Sequence, residues 1–124
     1  MKNDWLFETD KYICGLRVAA LIVRDNKVLV QKEKGSDDYA LPGGHAKAGE
    51  TLTDALIREI SEEAGITIEC RRLLWSEECF WKWNGKKAHH IVFYYLAGLC
   101  ENSAIPEDEF IPQRDNCNVL AGCR

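Results

Sequence analysis

The sequence predicts an α/β domain, and three observations carry that reading. Two stretches rich in β-branched residues, "LRVAALIV" (16–23) and "VLVQKE" (28–33), are joined by the polar turn "RDNK". A connection bearing a proline and three glycines, "YALPGGHAKAGE" (39–50), then leads into a segment of helical apolar period that stops at Gly65. Two further strand-like stretches, 66–83 and 88–100, flank an Asn-Gly turn.

Taken in order, residues 1–13 mix Trp5, Phe7 and Tyr12 with charges and read as a lead-in segment packing on the domain. The first hairpin follows, then the polar loop "KGSDD" (34–38) and the glycine-rich connection, whose backbone freedom suits no element interior. The helix is expected over 52–64. Thr51 is its N-cap, Asp54 completes a capping-box arrangement, and Gly65 supplies the left-handed terminator. After the second strand pair, 101–124 reads as an acidic loop broken by two prolines and a short apolar tail, "VLAGCR".

At 124 residues the chain suits one domain spanning 1–124, with one hydrophobic core and no internal repeat. Hydrophobic residues at 46% and charged residues at 29% argue for a folded chain. The net charge of -4 gives no reason to expect duplex nucleic acid or an anionic membrane surface as a partner. No apolar run reaches membrane-spanning length and the start lacks a secretory pattern, so the cytoplasm is the expected location. The six cysteines form no C-x2-C pair and are expected as free or buried thiols, with Cys117 and Cys123 the pair most able to oxidise.

The chemistry-bearing stretch is "REISEEAG" (58–65). Like charges three and four residues apart destabilise a helix by a few tenths of a kcal/mol per pair, which makes this crowding of carboxylates unusual. At roughly 100° per residue, Glu59, Glu62 and Glu63 fall within an arc of about 100°, beside the apolar arc of Leu52, Leu56, Ile60 and Ala64. Taken alone, such a cluster reads as a solvated acidic stripe.

The spacing upstream overturns that reading. Gly44, Glu50, Arg58, Glu59, Ile60, Glu62, Glu63, Gly65 and Ile66 form the complete 23-residue signature of the Nudix hydrolases, which the sequence closely resembles. With roughly 7% per residue type, a chance match is on the order of one in a million or less. The "RVAALIV" hairpin and the "LPGG" segment extend the resemblance from about residue 16 to 100.

The resemblance implies a Nudix-type α/β/α sandwich on a mixed β-sheet. It implies metal-dependent hydrolysis of a pyrophosphate bond in a nucleoside diphosphate linked to another group. Glu59, Glu62 and Glu63 would be metal ligands, joined by the Gly43 carbonyl, and Mg2+ would be the ion, with Mn2+ a substitute. Hard divalent ions take oxygen ligands and keep positions for phosphate oxygens, which carboxylates one helical turn apart can provide. Such an ion would also draw an anionic substrate to an acidic protein. Glu50 and Arg58 would be the supporting pair, with the arginine orienting carboxylates. The general base would be Glu59 or a carboxylate of "IPEDEF" (105–110), where Glu109 is favoured.

On the substrate side, Arg17, Lys32, Tyr39, Trp81, Trp83 and Tyr94 could clamp phosphate or stack a base. His89 and His90 are adjacent and so belong to opposite strand faces. Trp81, Lys82, Trp83 and Asn84 stand where family members that prefer ADP-ribose carry a proline and those that prefer diadenosine polyphosphates a tyrosine. A MutT-like nucleoside triphosphate pyrophosphohydrolase is therefore the expected activity, with a non-catalytic nucleotide-sensing module as the alternative. The family's closing C-terminal helix has no counterpart before Arg124. A shortened chain, a divergent tail, or a partner subunit covering that face as in a homodimer are the open alternatives.

Overall fold

The computed structural model describes residues 3–24, 26–33, 39–83, 85–100, 111–113 and 116–122, with main chain alone for 32–33, 83, 111–113 and 116–122. In chain order the elements are β1 (Leu6–Glu8), β2 (Tyr12–Arg24), β3 (Lys27–Glu33), β4 (Tyr39–Ala40), β5 (Gly43–His45), α1 (Leu52–Ala64), β6 (Ile68–Trp83), β7 (Lys86–Leu99), β8 (Ile111–Gln113) and β9 (Asn116–Gly122).

The strands form a mixed sheet with β2 at its centre. One edge of β2 pairs with β7 in parallel, from Tyr12↔Lys87 to Ile22↔Ala97. Its other edge is taken in turn by β1, β5 and β3, each antiparallel. The order along the sheet is β6-β7-β2-β3-β9-β8, with β4 added to β3. Asn26 at φ 62° and Gly85 at φ 78° occupy the left-handed positions of the two hairpin turns.

The helix has the expected bounds because its end signals are local. Thr51 accepts a 3.1 Å hydrogen bond from the Asp54 amide, and Gly65 adopts φ 69° while its amide bonds back to the Ser61 carbonyl. Ala55, Leu56, Ile60 and Ala64 are buried against Val18, Ala20 and Ile22 of β2, Leu29 of β3 and Ala97 of β7. Leu56 and Ile60, both essentially inaccessible, each contribute about 1.5–3 kcal/mol of burial free energy.

Several features depart from the sequence reading. The lead-in segment contains β1, and β2 begins at Tyr12, four residues ahead of the expected strand. Within the expected loop and tail, Asn116–Gly122 forms β9, which pairs with β3 from Lys27↔Gly122 to Glu33↔Asn116. Among the described residues α1 is the sole helix, and with the mixed sheet it makes the α/β arrangement expected from the sequence. Cys14, Cys70, Cys79 and Cys100 are free thiols, whereas the Cys117 and Cys123 side chains lie outside the described residues. No helix among the described residues is long and apolar enough to cross a membrane.

Candidate active site

The site assembles where β5 and the loop after it meet α1. Pairing of Arg17, Val18 and Ala19 with His45, Gly44 and Gly43 holds β5 against β2. A Cβ at Gly43 would run into the Val18 carbonyl and the Ala19 Cα, so glycine permits this approach of backbone to backbone. At Gly44 the obstruction is different: the Glu59 carboxylate fills the space a side chain would need.

Arg58 organises the acidic groups. Its Nε and Nη2 donate to the two oxygens of Glu50 at 3.1 and 2.7 Å, and Nη2 also donates to the His45 carbonyl at 3.2 Å. Nη1 donates to Glu59 at 3.1 Å and to Glu62 at 3.3 Å. All five guanidinium donors are thereby engaged. Glu50 is held further by the Lys47 amide at 2.8 Å, and the Arg58 hydrogen bond is the main reason its carboxyl stays below the usual carboxylate range. The same pairing drives the Arg58 pKa upward.

Glu59 shows the opposite tendency. Burial pushes its carboxyl up, Arg58 pulls it down, and the charges of Glu63 and Glu62 push it up again. Glu63 accepts a 2.9 Å hydrogen bond from Gln31 of β3, a partner the sequence analysis did not single out because it depends on how β3 lies beside α1.

Three carboxylates, Glu50, Glu59 and Glu62, thus surround one guanidinium, while Glu63 is held by Gln31. The donor set suits a hard divalent ion: all oxygen, net negative, and with one member whose ionised form is disfavoured by burial and by its neighbours. Among the described residues no three acidic, histidine or cysteine side chains converge closely enough to enclose an ion. Glu62 is bonded to Arg58 and Glu63 to Gln31.

Beside Gly43 and Gly44 opens a cleft of about 500 Å3, walled by Arg17, Trp75, Trp81 and Tyr94. Trp75 and Tyr94 face each other across β6 and β7 and stack at 4.5 Å with an 18° tilt. The Tyr94 hydroxyl donates to Glu77 at 2.6 Å, and burial together with this carboxylate raises its pKa.

Arg17 Nη1 donates to His45 Nε2 at 3.3 Å. An arginine cannot accept, so His45 Nε2 is the acceptor, and the His90 Nε2 that lies 3.2 Å from the same atom must carry a proton. His90 Nδ1 is then an unprotonated, buried acceptor without a partner. Burial and the Arg17 charge bring both imidazoles down to about 4. His90 is buried while His89 on the other face bonds Glu78 at 2.9 Å, in line with the alternation expected for adjacent strand residues.

The structure thus brings Glu50, Arg58, Glu59, Glu62, Glu63, Gly43 and Gly44 together, with Arg17 and Trp81 in the adjoining cleft. Tyr39 is exposed on β4 and does not line that cleft, although Ala40 and Leu41 do. The side chains of Lys32 and Trp83, and all of Glu109, lie outside the described residues. His45 and Trp75 were missed by the sequence analysis. The only available signal was their nearness in the chain to Gly44 and to the strand aromatics.

The NUDIX domain family model matches residues 15–116. The chain therefore belongs to the Nudix family. It is 42% identical over 60 residues to an ADP-ribose pyrophosphatase of Methanocaldococcus jannaschii, covering 46% of this chain and 36% of that one. It is 32% identical over 111 residues to a putative mutator protein MutT4 of Mycobacterium tuberculosis, covering 85% and 42%. The chain spans less than half the length of either relative. A MutT NUDIX hydrolase from Burkholderia pseudomallei has the same fold, with a TM-score of 0.63 at 29% identity over 87% of this chain and 81% of that one.

Proposed function

We propose that this protein hydrolyses the pyrophosphate bond of a nucleoside diphosphate linked to another group, using a divalent metal ion. The observation that carries the reading is the set of three carboxylates bound to Arg58, with Glu63 on the same helix, beside an aromatic-walled cleft. Glu59, Glu62 and Glu63 would hold the ion, with the Gly43 carbonyl adding an oxygen. Mg2+ is the natural occupant and Mn2+ its substitute; it would supply the positive charge that offsets charge developing on the phosphate oxygens. Arg58 and Glu50 act as positioning residues, because every guanidinium donor is spent on orienting neighbours. Glu59 is one candidate general base, since burial and neighbouring charges favour its taking up a proton. Glu109 is the other. A nucleotide-sensing module, the non-catalytic alternative, would have no need of the full carboxylate set.

The names of the relatives divide between a mutator-type protein and an ADP-ribose pyrophosphatase. The MutT-like preference for nucleoside triphosphates expected from the sequence rests on missing marker residues alone. A screen of nucleoside triphosphates, oxidised nucleotides, ADP-ribose, nucleotide sugars and dinucleoside polyphosphates, with product identification, tests the reading. Cleavage at a phosphoanhydride bond that requires metal is the expected result. Binding of nucleotides without turnover in Mg2+ or Mn2+ would replace it with the sensor.

A further inference from the structure

The sheet ends on one side at β6, the outermost strand in the order β6-β7-β2-β3-β9-β8. Among the described residues no strand pairs with its outer edge, a row of backbone amides and carbonyls able to template another strand. Folded chains guard such edges with bulges, prolines and charges, lysine above all. The first part of β6 carries these guards: its register with β7 shifts between Cys70 and Arg72 and again between Leu73 and Trp75, and Arg71 and Arg72 are exposed there. From Trp75 to Trp83 the pairing runs without a shift, over about 30 Å, and no proline interrupts it.

The charges on this regular stretch are arranged symmetrically about one aromatic residue. Glu78, Phe80 and Lys82 share a face, because side chains alternate along a strand, and their partners on β7 are Ile91, His89 and Lys87. Phe80 is 64% exposed and stacks on the His89 ring at 4.3 Å. Lys82 lies opposite Lys87, both exposed, and neither has a carboxylate partner among the described residues. Like charges directly opposite each other destabilise a sheet. Glu78 is bonded to His89 and still keeps 63% of its side chain exposed.

We propose that a second copy of this chain docks antiparallel on the edge of β6, with Phe80 opposite Phe80 and a two-fold axis between them. Glu78 of each copy then stands opposite Lys82 of the other, so two ion pairs flank the aromatic pair and relieve the crowding of Lys82 and Lys87. Charge sets this register: a centre at Cys79 would put Glu78 opposite Phe80 and Lys82 opposite Ser76, with no ion pair. On the same face β1, β2, β7 and β6 align Phe7, Cys14, His89 and Phe80, and this row continues into the second copy. On the opposite face Trp81 meets Cys79 of the second copy, beside the cleft that both residues line.

Sedimentation equilibrium of the full chain tests the docking. The wild type should form a concentration-dependent dimer. Glu78→Lys and Lys82→Glu should each weaken it at least about tenfold, because each turns both ion pairs into like-charge contacts. An equal mixture of the two variants, and the double variant Glu78→Lys/Lys82→Glu, should each dimerise within about threefold of the wild type, since opposite charges then face each other again. The wild type supplies a readout that needs no variant: hydrogen exchange at the Trp75–Trp83 amides should slow as concentration rises. A wild type that stays monomeric, or exchange that ignores concentration, would overturn the proposal and leave the edge to another part of this chain or to a different partner. A dimer that both single changes leave intact would overturn it by placing the contact elsewhere. Loss of the dimer in the single variants, with no recovery in the mixture or the double variant, would overturn the pairing of Glu78 with Lys82.

Discussion

The Glu59 carboxylate lies over the Cα of Gly44, in the volume any side chain there would occupy. The contact ties β5 to α1 at the point where the acidic groups gather. In Gly44→Ala the new methyl must displace a carboxylate that Arg58 also grips. We expect hydrolysis to fall by about 10- to 100-fold, the scale of a small misplacement of a reacting group, with the melting temperature little changed. Gly43→Ala should behave differently, because its methyl meets β2 backbone, which cannot swing aside. Loss of thermal stability should dominate there, and thermal melts beside steady-state rates separate the two.

Removing one carboxylate at a time probes the ligand set. Glu63→Gln keeps a group able to bond Gln31 but deletes a charge, and should lower metal-dependent hydrolysis by about 100-fold or more. Glu62→Gln should cost less, since Glu62 is the more exposed of the two. Circular dichroism should be unchanged in both. Full activity in both variants would remove these residues from the mechanism.

Arg58→Lys retains the charge but not the fork that grips both oxygens of Glu50. The expected cost is about 1–3 kcal/mol near neutral pH, read from urea unfolding. The folded Glu50 carboxyl has a lowered pKa, so its contribution is present above the unfolded value of 4.5 and is lost as pH falls through the folded one. The stability gap between wild type and variant should therefore close below about pH 4.5.

His90 provides a test at milder pH. Its imidazole takes up a proton near 6.5 when unfolded and only near about 4 when folded. The unfolded chain then binds more protons between those values, so stability should fall as pH drops from 6.5 towards about 4. His90→Gln should flatten that slope while leaving part of it, because His45 is lowered in the same way. Unfolding midpoints at pH 7 and pH 5 give the comparison.

What the sequence made legible was local or strictly spaced. The helix bounds 52–64 are legible because Thr51 and Gly65 signal the helix ends within the chain itself. The β6 and β7 hairpin was marked by its Asn-Gly turn. In contrast, β9 reads in the sequence as the end of a loop and a short tail, because its partner, β3, is more than eighty residues away and seven residues carry no periodic signal of their own. The early start of β2 was hidden by Gly15, a weak strand former that fits here because Leu6, His90 and the Trp5 carbonyl crowd its Cα. In the site, Arg58, Glu50 and the three helix glutamates were legible through spacing, whereas Gln31, His45 and the Trp75 and Tyr94 stack depend on strand register, which no single stretch of sequence specifies.

Phosphorus NMR of the full chain with diadenosine diphosphate or ADP-ribose and Mg2+, run in parallel with EDTA and with Glu63→Gln, tests the central claim most directly. The diphosphate resonances should be replaced by monophosphate resonances in the wild type with Mg2+, and should persist in both controls. Persistence in the wild type with Mg2+ and with Mn2+, alongside demonstrated binding, or equal turnover in EDTA, would contradict a metal-dependent pyrophosphate hydrolase built on Glu59, Glu62 and Glu63.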